Sequence, residues 1–321
     1  MQKKTMKFSI TIPAYKSTFL RECIESVLSQ TYMDFEVVIV DDNSPYHLDE
    51  IVSSFSDNRI RYYKNTRNYG AVDVVDNWNK CLEYAQGEYI ICMGDDDMLL
   101  PQCLENYVKI MDEYPGLDIY HTRTDLINSE GELVDRQEER PKYESAYSLA
   151  WHGFKGRVQF IGDFCYKTST LRRNGGFYKF PLALSSDYVS AIIASKDSGI
   201  ANVKESSFLY RIHDTTISIT GNCRILMNSS MLIEKWYWDF VRNEEPLTED
   251  DKKYRDLISN EIKHYFKKER QLFLIRDFKT GMFSSLVYWL KYRGQYGIAM
   301  LDVTIAFILA VARKVKRLIK L

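Results

Sequence analysis

Along the first hundred residues, short apolar runs alternate with segments whose apolar side chains recur every three or four positions. Residues 7–12 (KFSITI) read as a buried strand closed by Pro13, and 35–40 (FEVVIV), 60–63 (IRYY) and 88–93 (EYIICM) as further strands. Between them, Leu20, Cys23, Ile24, Val27 and Leu28 share one face of a helix over 18–30, and 72–85 makes a second helix ended by Gly87. Pro101 opens another at about its first turn. Strand and helix alternating at this spacing predict βαβ units and a mainly parallel α/β sheet. The runs at 35–40 and 88–93 are apolar apart from Glu36 and Glu88, as expected when helices cover both faces. Ligands of such sheets bind at the carboxyl ends of the strands. Both runs lead straight into acidic clusters there, Asp41-Asp42-Asn43-Ser44 and Gly94-Asp95-Asp96-Asp97.

Downstream, 117–134 reads as a strand and hairpin turning at Asn128-Ser129-Glu130-Gly131. Residues 135–158 are polar and aromatic without clear period and read as a long loop. Mixed α/β patterning resumes over 159–220, with a helix from Ser186 to Lys196 and a strand near 206–211. From 221 onward the pattern is helical, and no internal repeat is found. The expected division is a domain over 1–220, with halves at about 1–100 and 101–220, followed by a helical region over 221–321.

Composition sharpens this. A chain of 321 residues with 45% hydrophobic and 27% charged positions is globular, not disordered. Its net charge of −1 hides an asymmetry: residues 1–220 carry 24 Lys/Arg against 32 Asp/Glu, and 221–321 carry 19 against 12. The acidic front half disfavours nucleic acid as partner, and the basic tail suggests a separate task. Cys23, Cys81, Cys92, Cys103, Cys165 and Cys223 form neither CxxC pairs nor zinc spacings, so reduced thiols in a cytoplasmic protein are expected. The N-terminal apolar run is too short for a signal peptide.

Three consecutive aspartates repel and raise one another's pKa, a cost that a divalent cation removes. Mg²⁺ and Mn²⁺ take carboxylate oxygens and, beside them, substrate phosphates. Asp95, Asp96 and Asp97 therefore suggest a metal-bound phosphate or pyrophosphate; a solvated turn capping the next helix is the alternative. Asp41-Asp42 can likewise end a strand, or accept from the N–H of a nucleobase.

The ordered set Ile12-Pro13-Ala14-Tyr15, Ser26-Val27-Leu28-Ser29-Gln30-Thr31-Tyr32, Val40-Asp41-Asp42-Asn43-Ser44, Asn68-Tyr69-Gly70, Ala85-Gln86-Gly87-Glu88-Tyr89-Ile90 and Asp95-Asp96-Asp97 resembles family 2 glycosyltransferases of GT-A fold. Gly175-Gly176-Phe177, Ser186-Asp187 and Tyr210-Arg211-Ile212-His213 extend the resemblance across about residues 6–220. It implies a Rossmann-like sheet with helices on both faces, and transfer from a nucleotide-diphosphate-sugar, a UDP-sugar favoured, with Mn²⁺ or Mg²⁺. Pro13, Tyr15, Asp42 and Asn68 then fall at nucleotide-sugar-binding positions, with Tyr15 a stacking surface for the base. The acidic run matches the DxD-type metal motif, with Gly94 where the family has its first Asp. Asp96 is the first choice as direct metal ligand, Asp97 is expected on the metal with it, and Asp95 is expected on ribose or a sugar hydroxyl. Asp187 matches the catalytic base of an inverting mechanism, where a helix-capping role is the alternative. Arg211 would face the departing diphosphate and His213 would complete the metal shell.

The tail offers a charged helix over 248–276 with an apolar stripe (Tyr254, Leu257, Ile258, Ile262, Tyr265, Phe266) and a short aromatic helix over 281–292. It ends in an apolar run over 296–312, trailed by Arg313, Lys314, Lys316, Arg317 and Lys320. A membrane span needs about 20 apolar residues, and this 17-residue run is interrupted by Asp302. A helix lying on the inner face of the cell membrane fits better, holding the enzyme near a lipid-linked glycan acceptor. Packing on the catalytic domain or in a homo-oligomer is the alternative. Two other functions fit part of the pattern: a nucleotidyltransferase, although Pro13-Ala14-Tyr15-Lys16 lacks the glycines of a phosphate loop, and an inactive sugar-binding scaffold.

Overall fold

A computed structural model describes residues 6–213 and 222–319, the last six of these as backbone only. They fall into two units, one within Met1–Lys179 and Ser185–Thr216, the other within Phe180–Leu184 and Ile217–Leu321.

The first unit is built on a ten-stranded sheet: β1 (Phe8–Ala14), β2 (Phe35–Asp41), β3 (Ile60–Lys64), β4 (Tyr89–Cys92), β5 (Met98–Leu99), β6 (Ile119–Ile127), β7 (Leu133–Arg136), β8 (Tyr143–Glu144), β9 (Phe164–Lys167) and β10 (Ile200–Arg211), in the order β3-β2-β1-β4-β9-β6-β10-β5. β7 pairs with β6, and β8 with β10. From β3 to β4 every pairing is parallel, as the alternating pattern predicts. Beyond β4 the sheet is mixed: β9 runs antiparallel to both β4 and β6. β2 and β4 flank β1 on opposite sides, so the carboxyl ends of β1 and β4 bound a crevice where the strand order reverses.

Helices α1 (Leu20–Leu28), α2 (Leu48–Ser53), α3 (Val74–Tyr84) and α4 (Cys103–Glu113) serve this sheet. Phe8, Ile10 and Ile12 of β1 pack with Leu20, Cys23, Ile24 and Val27 of α1 and with Leu104 and Tyr107 of α4. On the other face Val38 and Val40 meet Cys81 of α3, and Tyr63 stacks on Tyr84 at 3.8 Å. This two-sided burial is why the strands read as continuous apolar runs.

Two expectations change. β1 continues through Pro13 to Ala14, because β4 stops at Cys92 opposite Thr11 and leaves Pro13 a strand partner on one side only. The expected loop over 135–158 contains β8 and a helix, α5 (Ala146–Phe154). Ser145 caps α5 by accepting from the Ser148 N–H, and Ala146, Leu149, Ala150 and Phe154 are buried. Two more helices, α6 (Thr168–Arg173) and α7 (Ser186–Ser195), complete this unit.

The second unit is helical: α8 (Cys223–Asn243), α9 (Glu249–Thr280), α10 (Met282–Tyr292) and α11 (Met300–Ile319). α9 opens on a reciprocal cap between Thr248 and Asp251. Val303, Ala306 and Ala310 of α11 pack with Leu274, Ile275 and Phe278 of α9 and Trp289 of α10, while the Trp289 Nε1–H donates to Asp277 at 2.8 Å. Asp302 lies at this protein-facing edge, 3.2 Å from Lys267. The opposite side of α11 stays apolar and open: Leu301 and Ile308 are 66% and 59% exposed, with Ile305 and Leu309 beside them. Among the described residues no helix is long and apolar enough to cross a membrane.

Candidate active site

The acidic clusters and the Arg211–His213 element meet at the carboxyl edge of the sheet. β4 runs out into Gly94 and the three aspartates, and β10 ends at Arg211. Gly94 explains the departure from an all-acidic run: a Cβ there would lie 2.7 Å from Asp96 Oδ1 and 2.9 Å from Asp97 Oδ2, so glycine lets both carboxylates fold over the turn.

The three aspartates have different surroundings. Asp95 Oδ2 accepts from the backbone N–H groups of Tyr15 and Lys16, both at 2.6 Å, and so clips the end of β1 to the end of β4. Asp97 accepts from the Gly94 N–H at 3.2 Å and the Arg211 N–H at 3.1 Å. Burial, and then the neighbouring Asp96 charge, pushes Asp95 up to about 7 and raises Asp97 well above the usual carboxylate range. Asp96 is the one partly open to the crevice: its Oδ2 lies 2.6 Å from His213 Nε2 and 4.0 Å from Lys16 Nζ.

Asp96 and His213 are therefore brought together as expected, whereas Asp97 is turned inward onto backbone. The carboxylate oxygen and the imidazole nitrogen are paired with each other here, and they are the two side-chain donors at the acidic turn that a divalent cation could share. Among the described residues no three His, Cys, Asp or Glu side chains gather into a fuller metal shell.

Arg211 departs from its expected role. Its guanidinium is 1% exposed and donates to the carbonyls of Asp96, Asn128 and Ser129 and to Glu22 at 2.8 Å. The Phe19 ring lies 4.1 Å beneath it. Here it braces the acidic turn from behind and does not face the crevice. Glu22 and Phe19 are its unforeseen partners, and their helical position gave no sign of it.

On the other side of the crevice, Asp42 accepts from the N–H groups of Tyr69 and Gly70 and from Asn65 Nδ2, all at 3.0–3.1 Å. Asn68 Nδ2 donates to the Asp42 carbonyl at 2.7 Å. Asp42 and Asn68 thus lock one turn, with Gly70 in the left-handed region at φ +66. Pro13 pairs in register with Val40, two residues before Asp42. Tyr15 is 39% exposed and meets Tyr46 edge-to-face at 5.9 Å, an open aromatic pair that the sequence reading missed in its second half.

Asp187 stands in the first turn of α7, two residues after the N-cap Ser185. It is half-buried, and burial pushes its carboxyl up to about 7, backbone hydrogen bonding opposing and Asp163 adding to the rise. A carboxyl at this value can exchange protons near neutrality.

The family described as glycosyl transferase family 2 matches residues 9–166, a range that holds Pro13 to Asp97 and ends before Asp187, Arg211 and His213. An uncharacterized glycosyltransferase of Methanocaldococcus jannaschii is 30% identical over 173 residues, covering 53% of this chain and 57% of that protein. Glycosyltransferase GlyG of Streptococcus pneumoniae is 32% identical over 108 residues, 33% of this chain and 35% of that one. The chain thus spans little more than half of the first relative and about a third of the second. Among solved structures, S. aureus TarS 1-349 in complex with UDP-GlcNAc matches with a TM-score of 0.63 over 95% of this chain and 82% of that one, at 20% identity, a likeness of fold.

Proposed function

The chain belongs to glycosyl transferase family 2, and from that premise we propose that it is a metal-dependent, inverting glycosyltransferase. It moves a sugar from a nucleotide-diphosphate-sugar to an acceptor hydroxyl. A UDP-sugar is the favoured donor, since the structurally similar TarS was solved with UDP-GlcNAc. The Asp187 carboxyl supports the reading most: half-buried in the first turn of α7 and poised at about 7, it can take the proton of an acceptor hydroxyl as that oxygen attacks the anomeric carbon. Attack opposite the departing diphosphate inverts the centre. Tyr15 and Tyr46 offer flat surface to a nucleobase. Asp96 and His213 would hold Mn²⁺ or Mg²⁺, which supplies positive charge to the diphosphate when bound.

The base must be ionised to work. Below about 7, kcat/KM should therefore fall roughly tenfold per pH unit, with a plateau above. Measuring kcat/KM against pH with a matched donor and acceptor checks this. A profile flat from pH 5.5 to 8 would take Asp187 out of the proton transfer.

A lipid-linked glycan is the proposed acceptor, with the protein peripheral on the cytoplasmic face of the membrane. The exposed stripe Leu301, Ile305, Ile308 and Leu309 can enter the interface. Exposed Arg313 follows it; Lys314, Lys316, Arg317 and Lys320 come next in sequence, their side chains outside the described residues. Each cation adds about 1 kcal/mol near an anionic surface, and salt screens that part. The protein is expected to co-sediment with phosphatidylglycerol vesicles at 0.1 M salt and to release progressively toward 1 M. Absence of binding at low salt would leave α11 as a packing element alone.

A further inference from the structure

The turn Ile161–Asp163 is pressed onto β10. At Gly162 a Cβ would overlap the Phe208 ring, so only glycine lets the turn lie this close. Asp163 is fully buried and anchors the turn from within: its Oδ2 accepts from the Phe160 N–H at 3.0 Å, from Gln137 Nε2 at 2.7 Å and from Thr124 Oγ1 at 3.3 Å. The result is that Phe160 is seated face-to-face on Tyr210, centroids 3.7 Å apart and planes 14° from parallel.

Tyr210 immediately precedes Arg211, whose N–H holds Asp97, so its position is set by the same strand end that sets the acidic turn. It is half-buried. Among the described residues its hydroxyl has no hydrogen-bond partner, although Tyr107, Tyr120 and Tyr62 all have one. Burial, and then the carboxylates of Asp97, Asp96 and Asp187, hold that hydroxyl firmly protonated. Tyr210 thus stands one residue before the backbone N–H that holds Asp97 and three before His213, at the strand end that braces the acidic turn. For packing against Phe160 and the core, phenylalanine would serve as well. A hydroxyl that is protonated, fixed by a stacked ring and without a protein partner is suited to a neutral polyol.

We propose that Tyr210 is a specificity-determining residue for the donor sugar: its hydroxyl hydrogen-bonds a ring hydroxyl of the pyranose being transferred, while Phe160 fixes the ring that carries it. This rests on the glycosyltransferase reading above and deepens it. A built hydrogen-bonding group discriminates strongly against a ligand that lacks its partner, whereas the flat surface that Tyr15 and Tyr46 offer to a nucleobase does not involve it.

The test is calorimetry of wild type and Tyr210→Phe with UDP and with UDP-GlcNAc in the presence of Mn²⁺, together with KM and kcat for the UDP-sugar the wild type turns over. Tyr210→Phe keeps the ring and its stack, and an unchanged melting temperature confirms the fold. The expected result is UDP affinity within twofold of wild type, donor KM raised about tenfold, as for the loss of one neutral hydrogen bond, and a smaller effect on kcat. A deoxy-sugar donor lacking the contacted hydroxyl should be discriminated by wild type and not by the variant. Equal donor KM in both proteins overturns this inference while leaving the glycosyltransferase reading intact. If the wild type turns over no nucleotide-sugar and binds none better than its nucleotide, that reading falls and this inference with it.

Discussion

Replacing Asp187 by Asn should lower transfer by on the order of 10²-fold or more while donor affinity stays unchanged. The amide has nearly the shape of the carboxyl but cannot accept the proton of the acceptor hydroxyl. Folding should not suffer. Burial disfavours the ionised form of Asp187, and its value near 7 lies above that of an unfolded aspartate. The ionised group therefore costs stability above that pH, and the neutral amide removes the cost. The melting temperature of the variant at pH 8 should equal or exceed that of wild type. Two measurements decide it: steady-state transfer with a verified acceptor, and calorimetry of the donor with metal. Normal turnover would reduce Asp187 to a residue in the first turn of α7. Lost donor binding would place it on the donor side.

The second large effect is expected at Asp96. Asp96→Ala should remove the metal-dependent part of UDP binding, a loss on the order of 100-fold, since even groups that only orient a metal ligand are worth about 10–100-fold. The fold should tolerate the change. Asp96 is partly exposed, and its contacts are His213 at 2.6 Å and Lys16 at 4.0 Å, whereas Asp95 and Asp97 hold backbone. Asp97→Ala should behave oppositely, destabilising the turn by stranding the Arg211 and Gly94 N–H groups. Calorimetry of UDP with and without Mn²⁺ separates the two. Unchanged metal dependence in Asp96→Ala would exclude Asp96 as a ligand.

The parallel half of the sheet was legible because β2 and β4 are buried on both faces and each ends at an acidic turn. That pattern alone puts Asp42 and Asp95–Asp97 at one edge of the sheet. α5 was not legible, because its cap at Ser145 is a single hydroxyl and Trp151 and His152 blur its apolar face. Which aspartate faces the crevice could not be read either, since it follows from where the N–H groups of Tyr15, Lys16 and Arg211 fall, contacts across about 80 and 114 residues of chain. For the same reason Arg211 suggested an anion partner while the fold spends it on carbonyls and Glu22. Tyr46 carried no signal in a chain with 23 tyrosines, and Tyr210 stood out only as the first residue of the Tyr210–His213 motif. The open stripe on α11 was partly legible: the apolar run was plain, but its division into a packed face and an exposed one needed the partners Phe278 and Trp289.

The central claim is inverting transfer from a nucleotide-sugar. ¹H NMR of the product formed from an α-linked UDP-sugar, recorded as the new glycosidic bond appears, tests it most directly. The account predicts a β-configured anomeric proton, formed only with Mn²⁺ or Mg²⁺ present and absent with Asp187→Asn. An α-configured product, or transfer that persists undiminished in Asp187→Asn, would contradict it.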